Sequence, residues 1–162
     1  MPNWCYNNVK IESYGHPSLS KDMKNSLSED KDLFIQFVPQ PKFENDQDWY
    51  MWNVNNWGTK WDVTTNSVQF IGDDLEFSFD SAWAPPIQFY EHLQELGFLV
   101  DAKYYEPGMC FVGAYYDGSD ECYDYSGMNS EEVAEALPYD LDEFFQISND
   151  MAMYEEENEG EE

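Results

Sequence analysis

The segment Leu75–Ser81 constrains the fold more than any other part of the chain. Leu75, Phe77 and Phe79 alternate with polar residues along its length. Successive side chains of a strand point to opposite faces, so this pattern predicts a strand with one buried face and one exposed face. A half-buried strand of this kind is typical of an antiparallel sheet that packs its apolar face against helices.

The elements around this segment repeat the order strand, helix, strand. The segment 33–38 is dense in apolar residues and is predicted to be a short strand or an extended segment. Pro39 and Pro41 end it, because proline lacks the backbone donor that a sheet needs. The other predicted elements are strands over 7–13, 61–70, 75–81, 98–105, 109–116 and 121–125 and helices over 18–28, 46–56 and 86–96. This order predicts an α+β fold, a ferredoxin-like split βαβ sandwich whose helices cover one face of an antiparallel sheet.

Composition divides the chain into three parts. Residues 1–127 are predicted to form the ferredoxin-like domain, and residues 128–154 an acidic helical C-terminal extension. Residues 155–162 are nearly all glutamate, so they are predicted to be a disordered acidic tail. No basic residue occurs beyond Lys103.

Capping patterns predict two short helices within the extension. Asn129 with Glu132 has the spacing of a capping box, in which the two side chains satisfy each other's backbone donors. Asp140 with Glu143 has the same spacing. Pro138 lies between the two patterns and is expected to separate the helices.

Charge excludes several classes of function. The formal net charge is −27, from 34 acidic residues against seven lysines, and arginine is absent. This balance predicts no direct nucleic-acid binding and no binding to an anionic membrane surface, and it argues against a phosphoryl-transfer site. A basic surface on another protein is the kind of partner that such a chain attracts. The alternative interpretation is that the charge only keeps an aromatic-rich protein in solution.

The residues suited to metal binding are scattered. Cys5, Cys110, Cys122, His16 and His92 show none of the spacings of zinc sites. Phosphate-loop, dinucleotide and serine-nucleophile patterns are also absent from the sequence. We therefore predict no metal, no cofactor and no catalytic residues. The odd number of cysteines, without a secretion signal, predicts a reducing cytoplasm.

The tryptophan-rich segment Trp49–Asp62 holds four of the six tryptophans and permits two interpretations. The first is a binding pocket in which tryptophans supply apolar walls and amide or charged groups supply polar contacts. The candidate pocket residues are Trp4, Asn7, Trp57, Lys60, Trp61, Asp62 and Trp83. The second interpretation is core packing, in which the amides and the carboxylate are partners for indole N–H groups.

The acidic extension is the second candidate site. Its predicted partner-binding residues are Glu131, Glu132, Glu135, Asp140, Asp142, Glu143 and Phe144. Carboxylates fixed on helices can occupy a basic groove of another protein and imitate a nucleic-acid backbone. The alternative is a solvated acidic face without a partner.

Several ordered blocks of the sequence resemble a family of small phage- and plasmid-borne proteins with a ferredoxin-like domain and no established activity. The blocks are Met1-Pro2-Asn3-Trp4-Cys5-Tyr6-Asn7, Phe37-Val38-Pro39-Gln40-Pro41, Trp49-Tyr50-Met51-Trp52, Asn56-Trp57-Gly58-Thr59-Lys60-Trp61-Asp62, Phe77-Ser78-Phe79-Asp80-Ser81-Ala82-Trp83-Ala84-Pro85-Pro86, Tyr105-Glu106-Pro107-Gly108-Met109 and Phe111-Val112-Gly113. The resemblance covers roughly residues 1–126 and implies a ferredoxin-like fold and a bacteriophage origin. It implies nothing about the acidic extension.

Together these observations predict a non-enzymatic bacteriophage protein of the host bacterial cytoplasm. We expect it to bind and modulate or inhibit a host or defence protein that has a basic surface, through the acidic extension and as a mimic of nucleic acid. The alternative is a small-ligand-binding or enzymatic module built on the tryptophan pocket. The sequence makes no prediction of the oligomeric state.

Overall fold

A computed structural model describes residues 2–12, 17–27, 30–72 and 74–160. The elements in chain order are β1 (Trp4–Glu12), α1 (Pro17–Ser26), α2 (Phe34–Phe37), α3 (Asp48–Asn56), β2 (Asn66–Ile71), β3 (Asp74–Ala82), α4 (Ile87–Glu95), β4 (Leu99–Glu106), β5 (Phe111–Tyr116), β6 (Ser119–Asp124), α5 (Ser130–Ala136), α6 (Tyr139–Phe145) and α7 (Ile147–Glu159). The structure confirms a mixed α+β fold.

The strands form one six-stranded sheet in the order β2-β3-β1-β4-β5-β6. Every neighbouring pair is antiparallel, as the alternation of β3 predicts. At the centre, Val9 of β1 is opposite Phe77 of β3 and Ala102 of β4, and all three are buried. These three side chains define what we call the first face of the sheet.

The first face supports the larger core, which is mainly aromatic. Phe34 of α2 packs against Trp57, Phe79 and Phe89, with ring centroids 5.6, 5.8 and 4.5 Å from its own. Buried residues of α1 and α4 complete this core. The helices that precede β4 therefore lie on the first face, as the sequence predicts.

The second face is covered by the C-terminal helices over its β4–β6 half. Val112 of β5 points away from the first face and packs with Val133, Leu141 and Ile147 of α5, α6 and α7. We call these three helices the acidic layer. The sequence predicts sheet-covering helices on one face only, and that prediction is wrong. The reason is that β5 has buried residues on both faces, Val112 on one and Tyr115 on the other.

Within the segment 33–38, Phe34–Phe37 form the helix α2, so the prediction of a strand or extended segment is wrong there. The carboxylate of Asp62 accepts hydrogen bonds from the backbone N–H groups of Phe34, at 2.6 Å, and Ile35, at 2.9 Å. These donors are among the orphan N–H groups at the start of α2. A carboxylate 28 residues further along the chain therefore stabilises a turn of helix that local sequence does not predict.

The first predicted capping box, Asn129 with Glu132, is confirmed. The second is wrong, because α6 begins at Tyr139 with Pro138 at its N-cap. Asp142 instead accepts from the backbone N–H of Ser148, at 2.7 Å, and from its hydroxyl, at 2.6 Å. Its carboxylate thereby satisfies a donor at the start of α7.

The predicted disordered tail is helical as far as Glu159, and residues 161 and 162 lie outside the described part of the chain. The Glu155 carboxylate accepts hydrogen bonds from the N–H of Ser130, at 2.9 Å, and from its hydroxyl, at 2.6 Å. Ile147 is buried at the other end of α7. Tertiary contacts at both ends hold a helix that composition alone does not favour.

Candidate functional site

The predicted tryptophan pocket is divided between the core and the surface. Trp57 is only 2 % exposed and belongs to the first-face core. Its indole N–H donates to the carbonyl of Val38 at 2.9 Å, and its ring packs edge-on against Trp52. A buried indole with a satisfied N–H is a packing group.

Asn7 is also a core residue. Its amide nitrogen donates to the Cys5 carbonyl at 3.0 Å and to the Ser81 hydroxyl at 2.9 Å. Its amide oxygen accepts from the Tyr90 hydroxyl at 3.0 Å. The side chain therefore connects β1, β3 and α4 beneath the first-face helices and is not available to a ligand.

Trp4 lines a surface pocket on the open half of the second face, and Trp61 packs against it. Their ring centroids lie 6.3 Å apart, and the rings are 45 % and 38 % exposed. We call the adjoining cavity of about 290 Å³ the Trp4 pocket. Its lining residues are Trp4, Asp62, Val63, Thr64, Asn66 and Asp80.

Two carboxylates of the Trp4 pocket differ in their bonding. Asp62 uses both oxygens: Oδ1 accepts from the N–H groups of Phe34 and, at 2.8 Å, Val63, and Oδ2 accepts from that of Ile35. Burial raises the pKa of Asp62, and its three backbone hydrogen bonds oppose that rise. Burial also raises the pKa of Asp80. Asp62 is mainly a structural group, so Asp80 is the carboxylate that is free to meet a ligand.

Lys60 lies against aromatic rings rather than against Asp62. Its ammonium nitrogen is 4.6 Å from the Trp61 ring centroid and 5.5 Å from that of Tyr50, within the range of cation–π contacts. Trp83 is half-exposed, does not line the Trp4 pocket, and has a left-handed backbone with φ of 71°. Of the predicted pocket residues, the structure therefore brings Trp4, Trp61, Lys60 and Asp62 together.

The acidic layer presents four of its predicted partner-binding carboxylates to solvent. Their side chains belong to exposed residues of α5 and α6, namely Glu131, Glu135, Asp140 and Glu143. Glu132 and Asp142 serve as helix caps instead. Phe144 is half-exposed, and the Lys103 ammonium lies 5.2 Å from its ring centroid.

The charge of the acidic layer is not neutralised from within. Residues 128–160 contain eleven acidic and no basic residues. In the described parts of the chain, the salt bridges join Lys10 to Glu12 and His92 to Glu95, so none involves the layer. Its carboxylates are therefore held on a buried scaffold without counter-charges.

Sequence reasoning missed the roles of Asp80, Glu155 and Ser130. Asp80 is marked by the alternation of β3, which places it on the polar face. Nothing local connects Glu155 with Ser130, because their contact depends on how α5 and α7 pack. Over the residues that the structure covers, no group of three or more His, Cys, Asp or Glu side chains is arranged for a metal ion. None of the described helices is long and apolar enough to span a membrane.

The fold and its surfaces define an α+β protein with an acidic helical layer on one half of a sheet. No family model matches the chain, and no curated protein matches it. Among solved structures it is similar to protein api92 from Yersinia pseudotuberculosis, of the DUF1281 family, with 15% sequence identity and a TM-score of 0.41. The match covers 59% of this chain and 40% of that protein, so the chain spans less than half of its length. A likeness at this level supports no conclusion about fold or function.

Proposed function

We propose that the chain is a non-enzymatic bacteriophage protein that acts in the host bacterial cytoplasm. It binds a host or defence protein with a basic surface through the acidic layer and thereby modulates or inhibits that protein. The observation that carries this proposal is the uncompensated charge of α5–α7 on an ordered, packed scaffold. A disordered solubility tail has no need for a buried core beneath it.

The proposal includes a ferredoxin-like domain. Four strands in the order β2-β3-β1-β4, with helices between β1 and β2 and between β3 and β4, support it. In this description β5 and β6 extend the sheet, and the acidic layer packs on that extension. The added strands give the layer its own surface, apart from the open half of the sheet.

The proposal extends to mimicry, in which the acidic layer imitates a nucleic-acid backbone. Fixed carboxylates on neighbouring helices then occupy the groove in which the partner binds phosphates. Opposite charge accelerates association, while the fixed spacing of the carboxylates selects the partner. The absence of arginine and the scarcity of lysine leave no local attraction for real nucleic acid.

The test is capture of proteins from bacterial lysate on the immobilised chain. The test variant replaces four exposed carboxylates of α5 and α6 that cap no helix: Glu131→Gln, Glu135→Gln, Asp140→Asn and Glu143→Gln. We expect the wild-type chain to capture a basic protein at about 0.05 M salt and to release it at about 0.5 M salt, because screening weakens exposed charge pairs. Duplex DNA added at low salt should also release that protein if the layer imitates nucleic acid. The four-residue variant should fail to capture it.

The matched control removes four charges elsewhere while leaving the acidic layer intact: Glu44→Gln, Asp46→Asn, Asp48→Asn and Glu91→Gln. Asp48 lies in the first turn of α3 as Asp140 lies in that of α6, so each set includes a first-turn carboxylate whose loss carries a helix-dipole cost. The control should capture the partner like the wild type. Equal loss in both variants would mean that net charge, and not this surface, attracts the captured protein.

The second candidate function is binding of a small ligand in the Trp4 pocket. The half-exposed Trp4, backed by Trp61 and beside Asp80 in the lining, favours it, since ligand sites combine apolar walls with a few polar groups. Trp4→Ala should abolish such binding and leave partner capture unchanged. Trp83→Ala, which removes an exposed tryptophan outside the pocket, is the control, and tryptophan fluorescence during ligand titration is the measurement.

A further inference from the structure

A separate cavity lies at the β5–β6 end of the first face, on the opposite side of the sheet from the acidic layer. Its volume is about 380 Å³. The lining includes the rings of Tyr104 and Phe111, the side chain of Gln88, the carboxylate of Asp120 and the thiol of Cys122. We call it the Tyr104 pocket.

Gly113 lies beneath Tyr104, a lining residue of this pocket. It is opposite Tyr104 on β4 and Cys122 on β6. A Cβ at Gly113 would overlap the Tyr104 ring and hydroxyl. The missing side chain therefore lets Tyr104 lie flat across β5 and reach β6, where its hydroxyl donates to Oδ1 of Asp120 at 2.6 Å.

Phe111 adds a second aromatic ring to the wall of the pocket. The centroids of Tyr104 and Phe111 are 6.2 Å apart, with the planes inclined at 69°. The hydrogen bond from Tyr104 fixes the Asp120 carboxylate beside these rings and uses one of its oxygens. In the described structure, the other oxygen of Asp120 has no hydrogen-bond partner, so it is open to a donor in the pocket.

The electrostatic potential in the pocket is negative. None of the lining residues is basic. Burial, together with the charges of Asp120 and Asp124, raises the pKa of the Cys122 thiol, although the Tyr104 hydroxyl opposes the rise. The thiolate is therefore a minor species at neutral pH, through which a neutral reagent alkylates Cys122 slowly.

We propose that the Tyr104 pocket binds the head of an organic cation, a guanidinium or alkylammonium group. The rings offer cation–π contacts, and the free oxygen of Asp120 offers a charge-assisted hydrogen bond. The Gln88 side chain contributes an amide oxygen as a further acceptor. Since the pocket and the acidic layer lie on different faces, this inference does not depend on the proposed function.

The cation has two possible sources, a free small molecule or an arginine or lysine side chain of a polypeptide. Cys122 reports occupancy for both, because its exposed thiol lies in the lining. The experiment measures the rate at which a neutral alkylating reagent modifies Cys122 in the folded full chain, by peptide mass spectrometry. The partly buried Cys110 is the internal reference.

The two probes are N-ethylguanidinium and the peptide acetyl-Gly-Arg-Gly-amide, and neutral N-ethylurea is the matched control. We expect both cations to slow the alkylation of Cys122 in a saturable way, with the Cys110 rate unchanged and N-ethylurea without effect. Protection by the peptide at a concentration at least about tenfold lower than N-ethylguanidinium identifies a polypeptide side chain as the source. Equal or weaker protection by the peptide identifies a free small cation.

The variant Asp120→Asn keeps an oxygen that can accept from Tyr104 but removes the charge. It should raise the concentration for half-protection about tenfold or more, the usual effect of losing a hydrogen bond to a charged group. Glu121→Gln removes one negative charge from the adjacent residue, which points to the other face of β6. This variant should leave protection unchanged. Protection by N-ethylurea, no protection by either cation, or equal protection in Asp120→Asn would overturn the proposal.

Discussion

On the first face of the sheet, α1–α4 bury an aromatic core around Phe34 and Trp57, whereas on the second face α5–α7 bury a smaller core around Val133 and Leu141. The polar groups beneath the first face, such as Asn7, find partners within the chain. Among the described residues, the carboxylates of the acidic layer form no salt bridge. The polar residues beneath the first face therefore hold the fold together, whereas the carboxylates of the acidic layer are available to other molecules.

The tryptophans show the same separation. Trp57 is enclosed by the first-face core, while Trp4 and Trp61 line the open half of the second face. Trp57 and Trp61 are four residues apart in the sequence, so their difference arises from the side of the sheet that each one meets.

Replacement of Trp57 should have the largest effect on stability. Trp57→Ala removes the ring contacts with Phe34 and Trp52 and the hydrogen bond to Val38, and should lower the free energy of unfolding by about 3–5 kcal/mol. Trp61→Ala should lower it by less than about 1 kcal/mol, because that ring is partly solvated. Urea denaturation measures both values, and similar losses would erase the distinction between the two tryptophans.

Leu141→Ala tests whether the two cores unfold together. It should cost about 2–5 kcal/mol, since Leu141 is 2 % exposed. Because β5 contributes Val112 to one core and Tyr115 to the other, we expect a single shifted transition by circular dichroism and by tryptophan fluorescence. Two separate transitions would show that the acidic layer is a dispensable addition to the sheet.

Within the acidic layer, a smaller difference in stability should distinguish the structural carboxylate of Asp142 from the free carboxylate of Asp140. Asp142→Ala removes the acceptor for Ser148 and should destabilise the protein by about 1 kcal/mol more than Asp140→Ala, as loss of a helix cap does. Both residues lie in the first turn of α6, so their contributions to the helix dipole cancel in the comparison. Equal losses in thermal unfolding would mean that the bond to Ser148 adds no stability.

The smallest expected effect concerns pH. The hydroxyl and N–H of Ser130 lower the pKa of Glu155 below its ordinary value of 4.5, because they favour the ionised carboxylate. The folded state then gains stability from Glu155 above pH 4.5 and loses that gain as the pH falls through the lowered pKa. Glu155→Gln should lower Tm at neutral pH, and the difference from wild type should shrink at about pH 3.

The neighbouring exposed residue provides the reference for this measurement. Glu156→Gln should change Tm little at either pH. A Glu155 effect that persists undiminished in acid would show that the carboxylate charge does not contribute to the contact between α5 and α7.

The sequence predicts elements well where local rules decide them. Alternation identifies β3, and the Asn129–Glu132 pattern identifies the start of α5, because both depend on neighbours a few residues away. The prediction is wrong for residues 33–38, because Asp62 supplies the decisive acceptors from 28 residues away. It is wrong for residues 155–159, because burial of Ile147 and the bonds from Ser130 offset the repulsion among adjacent glutamates.

The candidate sites also combine features that the sequence determines with features that only the tertiary structure decides. By itself, the sequence determined the mixed α+β class, the acidity of the C-terminal segment and its lack of counter-charges, since composition and short-range periodicity contain them. Only the tertiary structure decided that the acidic helices cover the second face, that Trp4 meets Trp61, and that Tyr104 crosses Gly113 to reach Asp120. Each of these depends on strand pairing and on the face of the sheet that a residue occupies, and a change of register by one residue would reverse the face.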